Sequence, residues 1–182
     1  MAILFLRGRF LFMSKKESIG KRVSRLGLLL ALTLTLSFME YNLLPPLPIE
    51  GVRLGLSNIT VMYAVFYENV SDSFLLGALR SLFVFLTRGA VAGFLSFCGG
   101  VFSIFIMLLG KKAFGRGKII LISLCGGAFH SIGQLLGATM VLKSYRTVLY
   151  LSPIITVLGA IFGVCTAVIL KIIIPKLKII KS

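Results

Sequence analysis

Long apolar runs separated by short polar breaks organise the chain. The first extends from about Leu26 to Leu44 and is closed by Pro45, Pro46 and Pro48, which lack backbone donors and cannot continue a helix. A second runs from about Leu54 to Tyr67 and is followed by the break Asn69-Val-Ser-Asp-Ser73. There Ser71 or Asp72 is placed to cap a third run, about Ser73 to Thr87, because short polar side chains satisfy the open N–H groups of a helix start. Arg88-Gly89 turns the chain into a fourth run, about Ala90 to Leu109, and a basic loop over 110–118 leads to a fifth, about Ile119 to Leu142. A tight turn at 143–146 precedes the sixth, about Val148 to Ile174. A helix needs about 20 apolar residues to cross roughly 30 Å of hydrocarbon. The pattern therefore predicts an all-α integral membrane protein, a bundle of six transmembrane helices over 26–174. A basic segment, 1–25, precedes it and a basic tail, 175–182, follows.

Composition sharpens this picture. With 182 residues, 58% of them hydrophobic, and a mean hydropathy of +1.04, the chain has no room for a soluble catalytic domain beside six spans. The net charge of +15 does not point to nucleic acid, because the lysines and arginines sit at the ends of apolar runs rather than among exposed aromatics. They report topology instead. With the N-terminus inside, fifteen basic residues fall on the inner side and only Arg53, Arg88, Lys143 and Arg146 on the outer, with Arg80 inside a span. Positively charged loops are retained in the cytoplasm, so both termini are expected there, in a multi-pass protein of a bacterial or archaeal inner membrane. The Pro-Pro-Leu-Pro loop then faces outside. Residues 1–12, broken by Arg7 and Arg9, are too short to span and carry no small-residue cleavage site; they fit an interfacial segment, and Met13 offers a second start. Cys98, Cys125 and Cys165 lie singly in apolar runs, without the paired spacing of a metal or disulfide framework.

Two sets of residues stand out within the spans. Small residues recur four apart, at Gly89 and Gly93, Gly133 and Gly137, and Gly159 and Gly163, a spacing that lets helix backbones approach closely in lipid. The stripe Gly27, Ala31 and Thr35 on span one is expected to meet a partner helix, since it lies on the cytoplasmic half beside the basic segment. The second set is polar. Glu40 and Asn42 lie in the outer part of span one, Arg53 and Asn58 flank the start of span two, Arg80 is near the middle of span three, and His130 and Gln134 share a face of span five. Such groups are costly in hydrocarbon, so each needs a partner or a cavity. Together they predict one outward-open site, with Glu40 pairing with Arg80 directly or through bound ligand. The proline loop, hinged at Gly51 and Gly55, would close over it as a lid.

Catalytic chemistry fits poorly. Asp72, the one Asp, sits in a turn, no clustered carboxylates could hold magnesium on a diphosphate, and there is no G-x-x-x-x-G-K-[ST] loop. No metal, cofactor or enzyme activity is expected. Glu40 with Pro45-Pro46-x-Pro48, Gly51-Val-Arg-Leu-Gly-Leu-Ser-Asn58, Arg80, Gly127-Ala-Phe-His-Ser-Ile-Gly-Gln134 and Tyr150-Leu-Ser-Pro153 resemble the Gx transporter family. That family is also described as heptaprenyl diphosphate synthase component I and is similar to the substrate-binding S components of energy-coupling factor transporters. Ser131 and Ser57 stand where the family usually has Asn and Ala. The resemblance implies a six-helix S component that takes a small molecule from outside and associates with a membrane coupling subunit and cytoplasmic ATPases. The synthase description implies instead a membrane subunit beside a prenyl-transferring enzyme.

Overall fold

The computed structural model describes residues 19–43, 57–142 and 145–180. Over these residues the chain forms six α-helices and no strand: α1 (Ile19–Leu43), α2 (Asn58–Tyr67), α3 (Val70–Arg88), α4 (Ala90–Phe114), α5 (Ile119–Leu142) and α6 (Tyr145–Ile180), with a 3-10 turn at Arg116–Lys118. Five are long and apolar enough to cross a membrane; α2 is not. At 1.5 Å per residue its ten residues rise about 15 Å, half the hydrocarbon depth. The protein is thus a multi-pass membrane bundle, as the apolar runs predict. The proline loop with Arg53, its hinges Gly51 and Gly55, and the segment 1–12 lie outside the described residues.

Helix boundaries move from the expected ones where tertiary partners outweigh local signals. The helix over span one begins at Ile19 rather than Leu26, taking Lys21, Arg22 and Arg25 into its first turns. The third starts at Val70, so its N-cap is Asn69 and neither Ser71 nor Asp72. The Asn69 carbonyl accepts from the Asp72 and Ser73 amides at 3.1 Å each. Asp72 has a better partner than its own backbone: fully buried in the first turn of α3, it accepts from Arg22 Nη2 at 2.5 Å. It lies inside the helix and not in the turn that the sequence pattern implies. Arg146, expected in a tight turn, lies inside α6.

The core is shared by α2, α4, α5 and α6. One cluster joins Val61, Met62, Val65 and Phe66 of α2 with Ile104 and Met107 of α4, Ile119 and Ile122 of α5, and Ala167 and Leu170 of α6. A second joins Leu95, Leu135, Ala138, Val148 and Ile155. Glycine sets how closely the last three helices approach. A Cβ on Gly133 would lie 2.8 Å from the Cys98 carbonyl, and one on Gly99 would lie 2.8 Å from that of His130. Between α5 and α6, Cβ atoms on Gly127 and Gly163 would collide with the carbonyls of Gly159 and Ser123. The packing role expected of the small-residue pairs holds for Gly133, Gly159 and Gly163 but not for Gly89, which has open space around it, and the Gly27 position, expected to meet a partner, has nothing within 4 Å and faces outward. Pro153, inside α6, cannot donate to the Leu149 carbonyl one turn back. Ser152 Oγ donates to it at 2.9 Å instead, which meets the demand that backbone groups be satisfied within the bundle.

α1 differs from all of these. Among its described residues, the fully buried ones are Thr33, Ser37 and Glu40, every one polar. They lie at spacings of four and three, on one face. Thr33 Oγ1 and Thr60 Oγ1 of α2 share a hydrogen bond of 2.6 Å. Arg88 of α3 donates to the Ser37 carbonyl, and its guanidinium lies 4.7 Å from the Tyr41 ring centroid. At the opposite end Arg22 pairs with Asp72 and Arg25 with Glu68 at 2.7 Å.

Candidate functional site

The half-length of α2 places its first residue, Asn58, at mid-depth in the bundle, and polar side chains from α3 and α5 meet there. Arg80, buried near the middle of α3, donates from Nη1 to Asn58 Oδ1 at 2.5 Å. The charges acting on Arg80 are the Glu40 carboxylate, of opposite sign, and the Arg88 guanidinium. Arg80 is in turn the charge acting on His130. His130 and Gln134, four apart on α5 and both buried, pack against Gly99 of α4. A Cβ there would lie 2.9 Å from His130 Cε1 and 2.7 Å from Gln134 Cγ, so the absence of a side chain at position 99 is what lets both lie flat against α4.

Several groups in this layer make no hydrogen bond of normal geometry among the described residues: Arg80 Nε, both ring nitrogens of His130 and, next to Asn58, Ser57 Oγ. Leaving such groups unmatched in a low-dielectric interior costs about 1–3 kcal/mol each. Two positive ends also converge here, since the open N–H groups of the α2 N-terminus carry partial positive charge beside the Arg80 guanidinium. An anionic or strongly accepting group would satisfy both. Below Asn58, a cavity of about 10 Å³ is bounded by Met62, Ser103, Met107, Ser123, Thr166 and facing glycines. It is of water size. Ser123 and Thr166 bond each other and the Gly163 carbonyl, so its walls are largely satisfied from within.

Of the residues expected to form a site, Arg80, Asn58, His130 and Gln134 come together, with Glu40 acting on the same layer. Asn42 does not join them: it is exposed, and its Nδ2 donates back to the Phe38 carbonyl at 2.8 Å. Arg53 lies outside the described residues. Arg80 meets Asn58 by hydrogen bond, and Glu40 contributes as a nearby charge. Ser57, next to Asn58, is buried there without having been singled out, since a hydroxyl in an apolar run carries little signal by itself. Ser131, which follows His130, faces away toward Gly159 of α6, so it takes part in helix packing. Among the described residues no group of three His, Cys, Asp or Glu could hold a metal ion. The stripe Gly27, Ala31 and Thr35 lies exposed on the outer side of α1, opposite the buried seam.

Comparison with known proteins is narrow. No curated protein matches the chain, and no solved structure does. One family model, described as heptaprenyl diphosphate synthase component I, matches residues 29–173, a range that takes in the whole polar layer and all but the ends of the bundle. The chain belongs to the heptaprenyl diphosphate synthase component I family.

Proposed function

We propose that the protein is the substrate-binding membrane component of an uptake transporter of the energy-coupling-factor type, and that it binds a small organic anion at the layer built by Arg80, Asn58, His130 and Gln134. The observation that carries this reading is the buried guanidinium whose Nε meets no acceptor among the described residues, beside an imidazole that makes no hydrogen bond of normal geometry and reaches only the Gly99 backbone. In a membrane such groups are retained where they meet a ligand. Glu40 acts on the same space, and Arg53 and Asn42 are read as part of the outer approach. The excess of basic residues in the inner segments supports cytoplasmic termini and an approach to the mid-depth layer from outside. Uptake by this route needs a membrane coupling subunit and cytoplasmic ATPases, and Gly27, Ala31 and Thr35 offer the close-approach face for the former. The chain itself is non-catalytic and needs no cofactor. Its ligand is a vitamin-like, quinone-related or isoprenoid-precursor metabolite.

Purification followed by mass spectrometry of co-purified small molecules identifies the ligand directly. Screens of anionic metabolites should raise the melting temperature, because a ligand that favours the folded state stabilises it, and Arg80→Gln should remove that rise. A complete absence of shifts across saturating metabolites would overturn the reading. The family description favours a second one, a non-catalytic membrane subunit of a heptaprenyl diphosphate synthase. Co-purification separates them: a coupling subunit with ATPases supports transport, and a soluble prenyl-transferring partner supports the synthase subunit.

A further inference from the structure

The polar layer is sealed. Glu40, Arg80, His130 and Gln134 are each at most 4% exposed, and the cavity beneath Asn58 admits nothing larger than water. Any metabolite that reaches Arg80 needs part of the bundle to move, and the helices differ in how firmly they are held. α4, α5 and α6 are joined backbone to backbone at Gly99, Gly127, Gly133, Gly159 and Gly163, and two apolar clusters run through them. Neither cluster includes a residue of α1. Among the described residues α1 contributes half-buried leucines, such as Leu29, Leu30 and Leu36, and a set of separable polar links: Thr33 to Thr60, Arg88 to Ser37, Arg22 to Asp72 and Arg25 to Glu68. Outward motion of α1 carries away Glu40, whose carboxylate acts on Arg80, and exposes its apolar outer face to nothing new, because Leu28, Leu32 and Phe38 are already exposed. Hydrogen bonds between helices in lipid are individually weak, and interactions of this polar kind can be exchanged for water in an opened cleft.

We propose that α1 is the gate of this site: it separates from α2 and α3 while α4, α5 and α6 remain one rigid body, and its separation opens the Arg80–His130 layer to ligand. The proposal rests on the ligand-site reading above and adds which helix regulates it. It also gives the outward stripe Gly27, Ala31 and Thr35 a second consequence. A partner helix docked there grips the one helix whose displacement opens or closes the site.

His130 is the only histidine in the chain, so its modification reports opening without any knowledge of the ligand. The experiment uses the full chain in lipid nanodiscs, purified through a tag free of histidine, with Cys98, Cys125 and Cys165 replaced by alanine. Thr33→Cys with Thr60→Cys then locks α1 to α2 on oxidation, since the native oxygens are 2.6 Å apart. Diethyl pyrocarbonate labelling of His130, read by peptide mass spectrometry, should fall at least tenfold in the oxidised form and recover on reduction. A matched lock between α5 and α6, Ser123→Cys with Thr166→Cys, spans native oxygens 3.2 Å apart and should leave labelling unchanged. Arg22→Gln with Arg25→Gln, which loosens α1 in the native-cysteine protein, should raise labelling severalfold. Equal labelling in the oxidised and reduced α1 lock overturns the gate, as does an equal drop from the α5–α6 lock, or no rise on loosening. Because labelling needs no ligand, the gate can fail while metabolite-induced stabilisation stands, and the reverse.

Discussion

α1 and the α5–α6 pair solve one problem in opposite ways. Lipid tails are as apolar as leucine, so burying hydrocarbon between helices in a membrane supplies little net drive, and association must come from close packing or from polar contacts. α5 and α6 take the first route. Gly127, Gly159, Gly163 and Ser123 bring carbonyl oxygens into contact with the opposite backbone, which multiplies short-range dispersion contacts along both helices. α1 takes the second. Its fully buried seam is Thr33, Ser37 and Glu40, which meets its neighbours at a few points, while its described aliphatic residues are at most half-buried. The first arrangement tolerates almost no displacement, because steric contact rises steeply with distance. The second can be broken at discrete points and reformed.

Substitutions on each side test that contrast. The largest effect is expected from Gly163→Leu, whose side chain would enter the Ser123 backbone. Overpacking costs reach about 3 kcal/mol or more, so the variant should lose its monodisperse peak in size-exclusion chromatography and melt far below the parent. Arg22→Gln comes next: it leaves the buried Asp72 carboxylate short of its main donor, a loss of about 1–3 kcal/mol, and pairing Arg22→Gln with Asp72→Asn should recover most of it in thermal melts. Thr33→Val should cost only about 0.6 kcal/mol, because Thr60 retains its bond to the Ser57 carbonyl at 2.9 Å. If Thr33→Val proves as damaging as Gly163→Leu, the two modes of attachment are not different in kind. The smallest effect on the free protein belongs to Ala31→Leu, within about 0.5 kcal/mol as for a surface change. That same variant should abolish capture of a coupling subunit in co-purification while leaving metabolite-induced stabilisation intact.

Much of the bundle was legible in the sequence because lipid imposes a strong filter. Apolar runs of about 20 residues between basic breaks gave the helices, and Asn58, Arg80, His130 and Gln134 stood out as groups that hydrocarbon should exclude. The hydroxyl residues did not stand out. Thr33 bonds the Leu29 carbonyl of its own helix as well as Thr60, and that local option makes Ser and Thr unremarkable in any apolar helix. Neither was the pairing of Arg22 with Asp72 legible, fifty residues apart, since it depends on α1 and α3 lying side by side in parallel. Asn42 shows the converse: close to Glu40 in sequence, it lies on the outer side of α1, and helix phase separates the two.

The ten-residue length of α2 has a consequence for how the chain is inserted. A segment so short offers insertion machinery little hydrophobic length to recognise. α3 is handicapped differently, since an arginine at a helix centre costs about 2.5–3.5 kcal/mol on insertion scales. Each handicap is relieved by the other helix: Asn58 accepts from Arg80, and the faces of α2 find cover only inside the finished bundle. The two are therefore expected to enter the bilayer as a hairpin turned at Glu68 and Asn69, with α2 committed only after α3 has been synthesised. A nascent chain cut before Ser73 should leave α2 outside the hydrocarbon, and extension past Arg88 should draw it in.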